Sequence, residues 1–268
     1  MMRYFILAIL LIISYYTFSQ TDEVYKNIHQ NGKTLFVGED LTYIVKYAFL
    51  NLGEVRFRVL EKAKINNTSV YKTIAYIDSY PDLPFVSIHQ IYESYIDSTI
   101  YPLRFIAKIF GEDTVLVKYE FIGNSEVQMQ KGKLNKTELW FDSTAHTNHR
   151  MQDGLSIFYF TRMNFGNQQS LSVPCIVNEK EETAELNFNN DPQPVEIDSV
   201  DYAIDCLYLD GHTDFVSVYG LTGYFEGWFS NDEFAVPIRA KMNVIIGSIN
   251  LELIKWNQKL WTPPIYKN

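Results

Sequence analysis

The sequence predicts a mainly β protein: a single large curved antiparallel sheet or half-barrel with one buried helix over about residues 153–163. Three observations carry that expectation. Apolar and polar residues alternate with a period of two through most of the chain, so each run has one apolar and one wet face. Turn residues separate these runs at short intervals, which favours hairpins over crossover helices. The composition includes 19 Tyr and 18 Phe, residues that suit a pleated, half-buried surface.

The first segment reads as an export signal, residues 1–19. Arg3 supplies a positive start, and residues 4–13 form an apolar run too short to span a bilayer. Thr17 and Ser19 are small residues placed for a cut before Gln20. The first cysteine is Cys175, so a lipid-anchored mature form is not expected. Residues 20–37 read as an N-terminal leader, residues 38–256 as the antiparallel β domain and residues 257–268 as a C-terminal tail. The expected address is the periplasm or an outer-membrane-associated site, with no transmembrane segment left after cleavage. The formal charge is −9, and losing Arg3 with the signal makes the chain one unit more acidic. An acidic chain without basic clusters argues against nucleic acid and against an anionic membrane surface held by charge alone.

Within the domain the strands follow in order. Tyr43, Val45, Tyr47 and Phe49 share one face. Val55, Phe57 and Val59 alternate with Glu54, Arg56 and Arg58. Leu103, Phe105, Ala107 and Ile109 alternate with Arg104, Ile106 and Lys108. Val115, Val117, Tyr119 and Phe121 follow, then Val127 and Met129. Near the C-terminus Val236, Ile238, Ala240, Met242 and Val244 alternate with Pro237, Arg239, Lys241 and Asn243, and Ile249, Leu251 and Leu253 form the last run. One apolar and one polar face is the antiparallel pattern, since buried parallel strands are apolar on both sides. Turns are expected at Asn51-Leu-Gly53, Asn66-Asn67, Gly111-Glu-Asp113, Gly123-Asn124, Lys131-Gly132 and Asp210-Gly211. Pro237 suits the first residues of an edge or end strand.

Residues 152–163 break the pattern. Asp153 can accept a backbone N–H in the first turn of a helix, and Asn164 and Gly166 can end it. Leu155, Ile157, Phe158, Tyr159, Phe160 and Met163 would cover nearly the whole circumference, which places the helix in the hollow of the sheet. A short strand is the competing reading. Residues 187–201, polar and with Pro192 and Pro194, form a loop or a hinge between two halves. The pattern favours one continuous sheet.

Four blocks in order resemble an exported bacterial family without assigned function, domain of unknown function number 3108. They are Gly38-Glu-Asp-Leu-Thr-Tyr43 with Tyr47 and Gly53-Glu54; Tyr92-Glu-Ser-Tyr-Ile-Asp97 with Pro102-Leu-Arg-Phe105; Gln152-Asp-Gly-Leu-Ser156 with Phe158, Tyr159 and Arg162; and Gly227, Trp228, Ser230 and Asp232 followed by Pro237, Ala240 and Gly247. The resemblance implies an exported, β-rich envelope protein. By fold analogy it is similar to lipoprotein-carrier half-barrels, in which a curved sheet holds helices in its concavity.

No catalytic set is evident. Glu93, Tyr95 and Asp97 share a face, and the following turn brings Arg104 opposite Tyr95. This constellation suits a structural network or, less simply, a glycan hydrolase using Glu93 and Asp97. His146-x-x-His149 lacks a third strong ligand, so no metal is expected. Gly154-Leu-Ser156 lacks the second glycine of a nucleophile elbow. No cofactor is implied. Cys175 and Cys206 form a possible disulfide if their strands are neighbours, or are two small buried hydrophobes.

The function expected is a non-catalytic binding or carrier module for a hydrophobic or lipid-like small molecule. Tyr47, Phe105, Phe158 and Trp228 are its candidate lining, with Arg104 as anchor for an acidic head. The alternative is a structural component of the envelope that recruits a protein partner along a free edge strand.

Overall fold

A computed structural model describes residues 27–83, 87–134, 139–215, 223–243, 247–257 and 259–267. The expected signal peptide lies outside the described residues, as do the leader up to residue 26 and Val244. Among the described residues the chain forms a two-stranded hairpin, one helix and one 14-stranded antiparallel sheet. The hairpin is β1 (Asn27–Gln30) and β2 (Lys33–Phe36), inside the segment read as leader. The first arm of the sheet comprises β3 (Asp40–Tyr47), β4 (Leu50–Ile65), β5 (Thr68–Ser79), β6 (His89–Ile96), β7 (Pro102–Ile109), β8 (Val115–Ile122), β9 (Glu126–Lys133) and β10 (Leu139–His146). Helix α1 (Ser156–Met163) follows. The second arm comprises β11 (Gln169–Val177), β12 (Lys180–Val195), β13 (Ile204–Thr213), β14 (Gly223–Ser230), β15 (Pro237–Asn243) and β16 (Ser248–Trp256).

Each arm is a simple meander, and the two join where β3 pairs with β16 in the middle of the sheet. The chain walks outward to the edge strand β10. It then crosses through residues 147–168 to the other edge, β11, and walks back to the centre. Gln152 forms a bridge with Cys175 on β11, so the crossing segment covers part of that edge. The sheet curls strongly. The tip of the β11–β12 hairpin reaches the inner face of the first arm, where Tyr119 Oη donates to Glu179 Oε1 (3.1 Å) and Lys131 Nζ to Glu179 Oε2 (2.8 Å).

Local chemistry explains the places where turn residues did not make turns. The β3–β4 turn is Ala48-Phe49, with Ala48 in the left-handed region (φ 50°), because Tyr47 pairs with Leu50. Gly53 lies inside β4, where a Cβ would run into the backbone of Asp78 and Ser79 on β5. Gly211 lies inside β13, beneath the Phe225 ring and against the Glu185 carbonyl. Both glycines mark close approach within a sheet. Lys131-Gly132 is likewise interior to β9. Residues 187–201 are no hinge: β12 runs through Val195, absorbing Pro192 in a register shift between Asn189 and Gln193 while Pro194 stays in register opposite Asp205. Pro237 is the first residue of β15, but that strand is internal, and the register shift opposite Trp228 and Phe229 accommodates it.

One end of the curled sheet is shut. Asp232 organises it: its Oδ1 accepts from Ser230 Oγ (2.8 Å), Phe234 N (2.9 Å) and Ala235 N (3.1 Å), and its Oδ2 from Trp261 Nε1 (2.7 Å). The β1–β2 hairpin docks on this turn, with Thr34 N donating to Glu233 O (2.6 Å) and Lys33 Nζ to Asp232 O (2.8 Å). The serine and aspartate of the Gly-x-Trp-x-Ser-x-Asp run are thereby accounted for as a cap.

Candidate functional site

Helix α1 enters the concavity because Asp153 fixes its start. Asp153 Oδ1 accepts from the backbone N–H groups of Leu155 and Ser156 (2.7 Å each), and Oδ2 from Ser94 Oγ on β6 (2.6 Å). Burial pushes this carboxyl up to about 6, against the pull of those hydrogen bonds. The helix is shorter than residues 152–163, but Leu155, Tyr159 and Met163 are fully buried as its pattern requires.

Its far end is held by an ion pair that sequence reasoning missed. Arg162 is 0 % exposed and grips Glu39 with both Nη atoms (2.6 and 2.8 Å), while also donating to the Phe234 and Ala235 carbonyls (3.1 and 3.3 Å). All but one of the guanidinium's five N–H groups are thus placed, the condition under which a buried charge is tolerated. The signal was present as the single charged residue of a mostly apolar helix.

Between α1 and the sheet lies a cavity of about 300 Å³. Its floor is Gly154, Ile157, Phe158 and Thr161. Its walls come from β3, β4, the end of β5, and β11 through β16, with Phe57, Leu186, Leu209, Phe229 and Leu251 among them. Phe158 stacks on Phe57 with centroids 4.2 Å apart and planes 8° from parallel. The polar groups of the wall are largely consumed: Tyr43 Oη donates to Pro237 O (2.9 Å) and Thr161 Oγ1 to Ile157 O (2.8 Å). Burial pushes the Cys175 thiol in the wall up to about 12.

The five expected ligand contacts are not brought together. Phe158 lines the cavity. Phe105 faces inward but is buried in solid core between Tyr92 and Tyr119 (centroids 6.1 and 5.2 Å). Arg104, next to it on β7, must therefore face outward; there it pairs with Glu120 (2.7 Å) and sits over the Tyr95 ring. Trp228 also faces outward, packing on Tyr208 and donating to Gln193 (3.3 Å), while its neighbours Gly227 and Phe229 line the cavity. Tyr47 lies beside the mouth with its ring over Gly247.

Cys175 and Cys206 are both free and buried. They belong to β11 and β13, with β12 between, and separate hydrophobic clusters enclose them. Strands two apart are about 9–10 Å distant, beyond the reach of a disulfide.

Glu93 and Asp97 occupy structural roles. Burial pushes Glu93 up, but Lys72 (2.8 Å) and Lys108 (3.6 Å) outweigh it and hold the carboxyl below its ordinary value. Asp97 shows the same balance: burial is outweighed by Thr99, Arg150 (2.6 Å) and the Tyr101 N–H. A general acid for glycoside cleavage needs a raised pKa, and neither residue has one. Arg104 does lie opposite Tyr95 in register. Among the described residues, no group of three or more His, Cys, Asp or Glu could hold a metal ion. No helix among them is long and apolar enough to cross a membrane.

The sequence profile of a family described as "Protein of unknown function (DUF3108)" matches residues 42–254. No curated protein matches the chain. Among solved structures, a beta-barrel-like protein of the domain of unknown function DUF1849 from Brucella abortus is similar, with a TM-score of 0.53 at 11% identity. The match covers 86% of this chain and 98% of that one, and it speaks for the fold alone. This chain belongs to the DUF3108 family.

Proposed function

We propose that this member of the DUF3108 family is an exported envelope protein that binds a hydrophobic or lipid-like small molecule, with the apolar part of the ligand in the cavity between α1 and the sheet. The observation that carries this reading is the cavity itself. Its volume of about 300 Å³ falls at the lower end for small-molecule sites, and its lining is apolar with the wall's hydroxyls already engaged. Each methylene moved from water into such a space contributes about 0.8 kcal/mol, so an alkyl chain would gain affinity without any charged contact. An anchoring cation inside the cavity is not part of the proposal: Arg104 stands outside, and Arg239, which borders the cavity, is turned to Glu252 (3.7 Å).

The test is to purify the protein without detergent from the cells that make it, and to record native mass spectra and solvent extracts. An amphiphile bound near one per chain is the expected result. Ala240→Phe, which puts a ring into the cavity from β15, should lose it while keeping the fold. Wild-type protein that is free of ligand, and that leaves a fluorescent fatty acid in solution, would refute the proposal.

A further inference from the structure

Among the described residues, the open end of the cavity and most of the exposed apolar side chains coincide. Strand registers place four strand-to-strand connections at one end of the sheet: Tyr47 pairs with Leu50, Asp78 with His89, Thr213 with Gly223 and Asn243 with Ser248. Gln90 with Ile109, Ile109 with Val115 and Val115 with Lys133 carry the same level across to the start of β10. The opposite end is the one shut by the β1–β2 hairpin and the Asp232 turn. Leu52, Ile88, Tyr224 and Ile249 bring the cavity lining up to the first end.

Nine large apolar side chains are exposed among the described residues. Six of them stand at this end: Phe49, Leu50, Ile88, Leu139, Trp140 and Tyr224. Phe49, at the tip of the two-residue turn, is 92% exposed. Ile88 and Tyr224 belong both to this exposed set and to the cavity lining, so apolar surface is continuous from the rim to the interior. The six sit on four separate segments, not on one flat face. Tips spread around an opening suit a fluid interface, in which each can insert independently. Trp and Tyr are the residues that favour the membrane–water boundary.

Charge selects the kind of surface. Among the described residues, Asp78, Asp82, Glu112, Asp113, Glu181 and Asp214 are exposed at this end, against the exposed lysines Lys180 and Lys241 and the half-buried Lys133 that pairs with Asp113. An anionic bilayer would repel such a rim. We propose that this end of the molecule seats on an electroneutral lipid bilayer, with Phe49 and Trp140 entering the interface, and that the cavity takes its ligand from that bilayer. The second half of the proposal rests on the ligand-binding reading; the first does not.

The experiment is flotation of the purified chain with phosphatidylcholine vesicles, and with vesicles in which about one third of the lipid is phosphatidylglycerol. Wild-type protein is expected to float with the neutral vesicles and several-fold less with the anionic ones at low salt. Phe49→Glu/Trp140→Glu should lower neutral-vesicle binding at least about tenfold, since two large side chains no longer leave water. Both positions are exposed, and circular dichroism confirms the fold of the variant; Phe49→Ala serves as the milder second variant, expected to lose several-fold. Wild-type protein that stays out of neutral vesicles overturns the proposal, as does binding of the double variant equal to wild type, or tighter binding to anionic vesicles. Sedimentation without lipid supplies a further refutation if the rim proves to be buried between two copies of the chain. Native mass spectrometry on the same samples separates the two readings. Vesicle binding without a cavity ligand sinks the ligand reading and leaves the docking surface; a cavity ligand without vesicle binding does the reverse.

Discussion

The two arms of the sheet carry the same alternating pattern and do opposite things with it. The inward faces of β6 to β9 are packed solid: Tyr92, Phe105, Tyr119 and Met129 fill the space beneath them. Ala107 is small, but Tyr92 stands directly across from it. The inward faces of β11 to β16, with β3 and β4, surround the cavity instead. There the positions lining the space include Ala184, Gly227 and Ala240, joined by Gly154 just before α1. Periodicity states which way a side chain points. Whether the enclosed space is filled depends on the summed volume of residues from strands far apart in sequence.

Four substitutions bear on this contrast. The largest effect is expected from Arg162→Ala, which strands Glu39 as an unpaired buried carboxylate and should cost about 3–5 kcal/mol. Hydrogen exchange on that variant would show whether the solid and hollow arms loosen together. Loosening of the hollow arm alone would mean that the arms are separate cooperative units.

Next comes a matched pair. Phe105→Ala opens a void in the solid arm and should cost about 3–5 kcal/mol. Met242→Ala enlarges a space that is already empty, at a half-buried position, and should cost about 1 kcal/mol. Equal losses in urea unfolding would erase the distinction between the arms.

The last effect concerns pH. Asp153 has its folded-state pKa raised to about 6 from an ordinary 3.8. A raised carboxyl binds its proton more tightly in the folded state. Its contribution to stability is therefore present below about pH 4 and is lost as pH rises through about 6. Asp153→Asn keeps a capping side chain and removes that slope, by up to about 3 kcal/mol and less if the site relaxes. Urea midpoints between pH 4 and 7 that fall equally in wild type and variant would place the titration elsewhere.

Much of the fold was legible: the alternation marks the strands, and the apolar helix has its capping aspartate where expected. Parity was legible too, and it rules out one pairing of candidates outright. Arg104 and Phe105 are neighbours in a strand, so they cannot both face one cavity. Trp228 was less decidable, since Gly227 beside it gives no side chain to weigh. The turn at Ala48-Phe49 carries no turn residue at all, whereas Gly53 and Gly211, which look like turns, are clearances for a neighbouring backbone and ring. The Glu39–Arg162 pair joins residues 123 positions apart, a distance over which local pattern carries no information.

The ladder between β3 and β16 brings together residues about two hundred positions apart. Every other ladder in the large sheet joins strands consecutive along the chain, and these can zip up as the polypeptide lengthens. A ribosome making this protein therefore releases two separate ribbons in succession, one with β3 and the other with β16 along the side that must later join. The wall becomes continuous only when the last strand to be synthesised slots in beside the first. Closing so long a loop is entropically slow, and until then β3 offers its free side to any extended chain nearby.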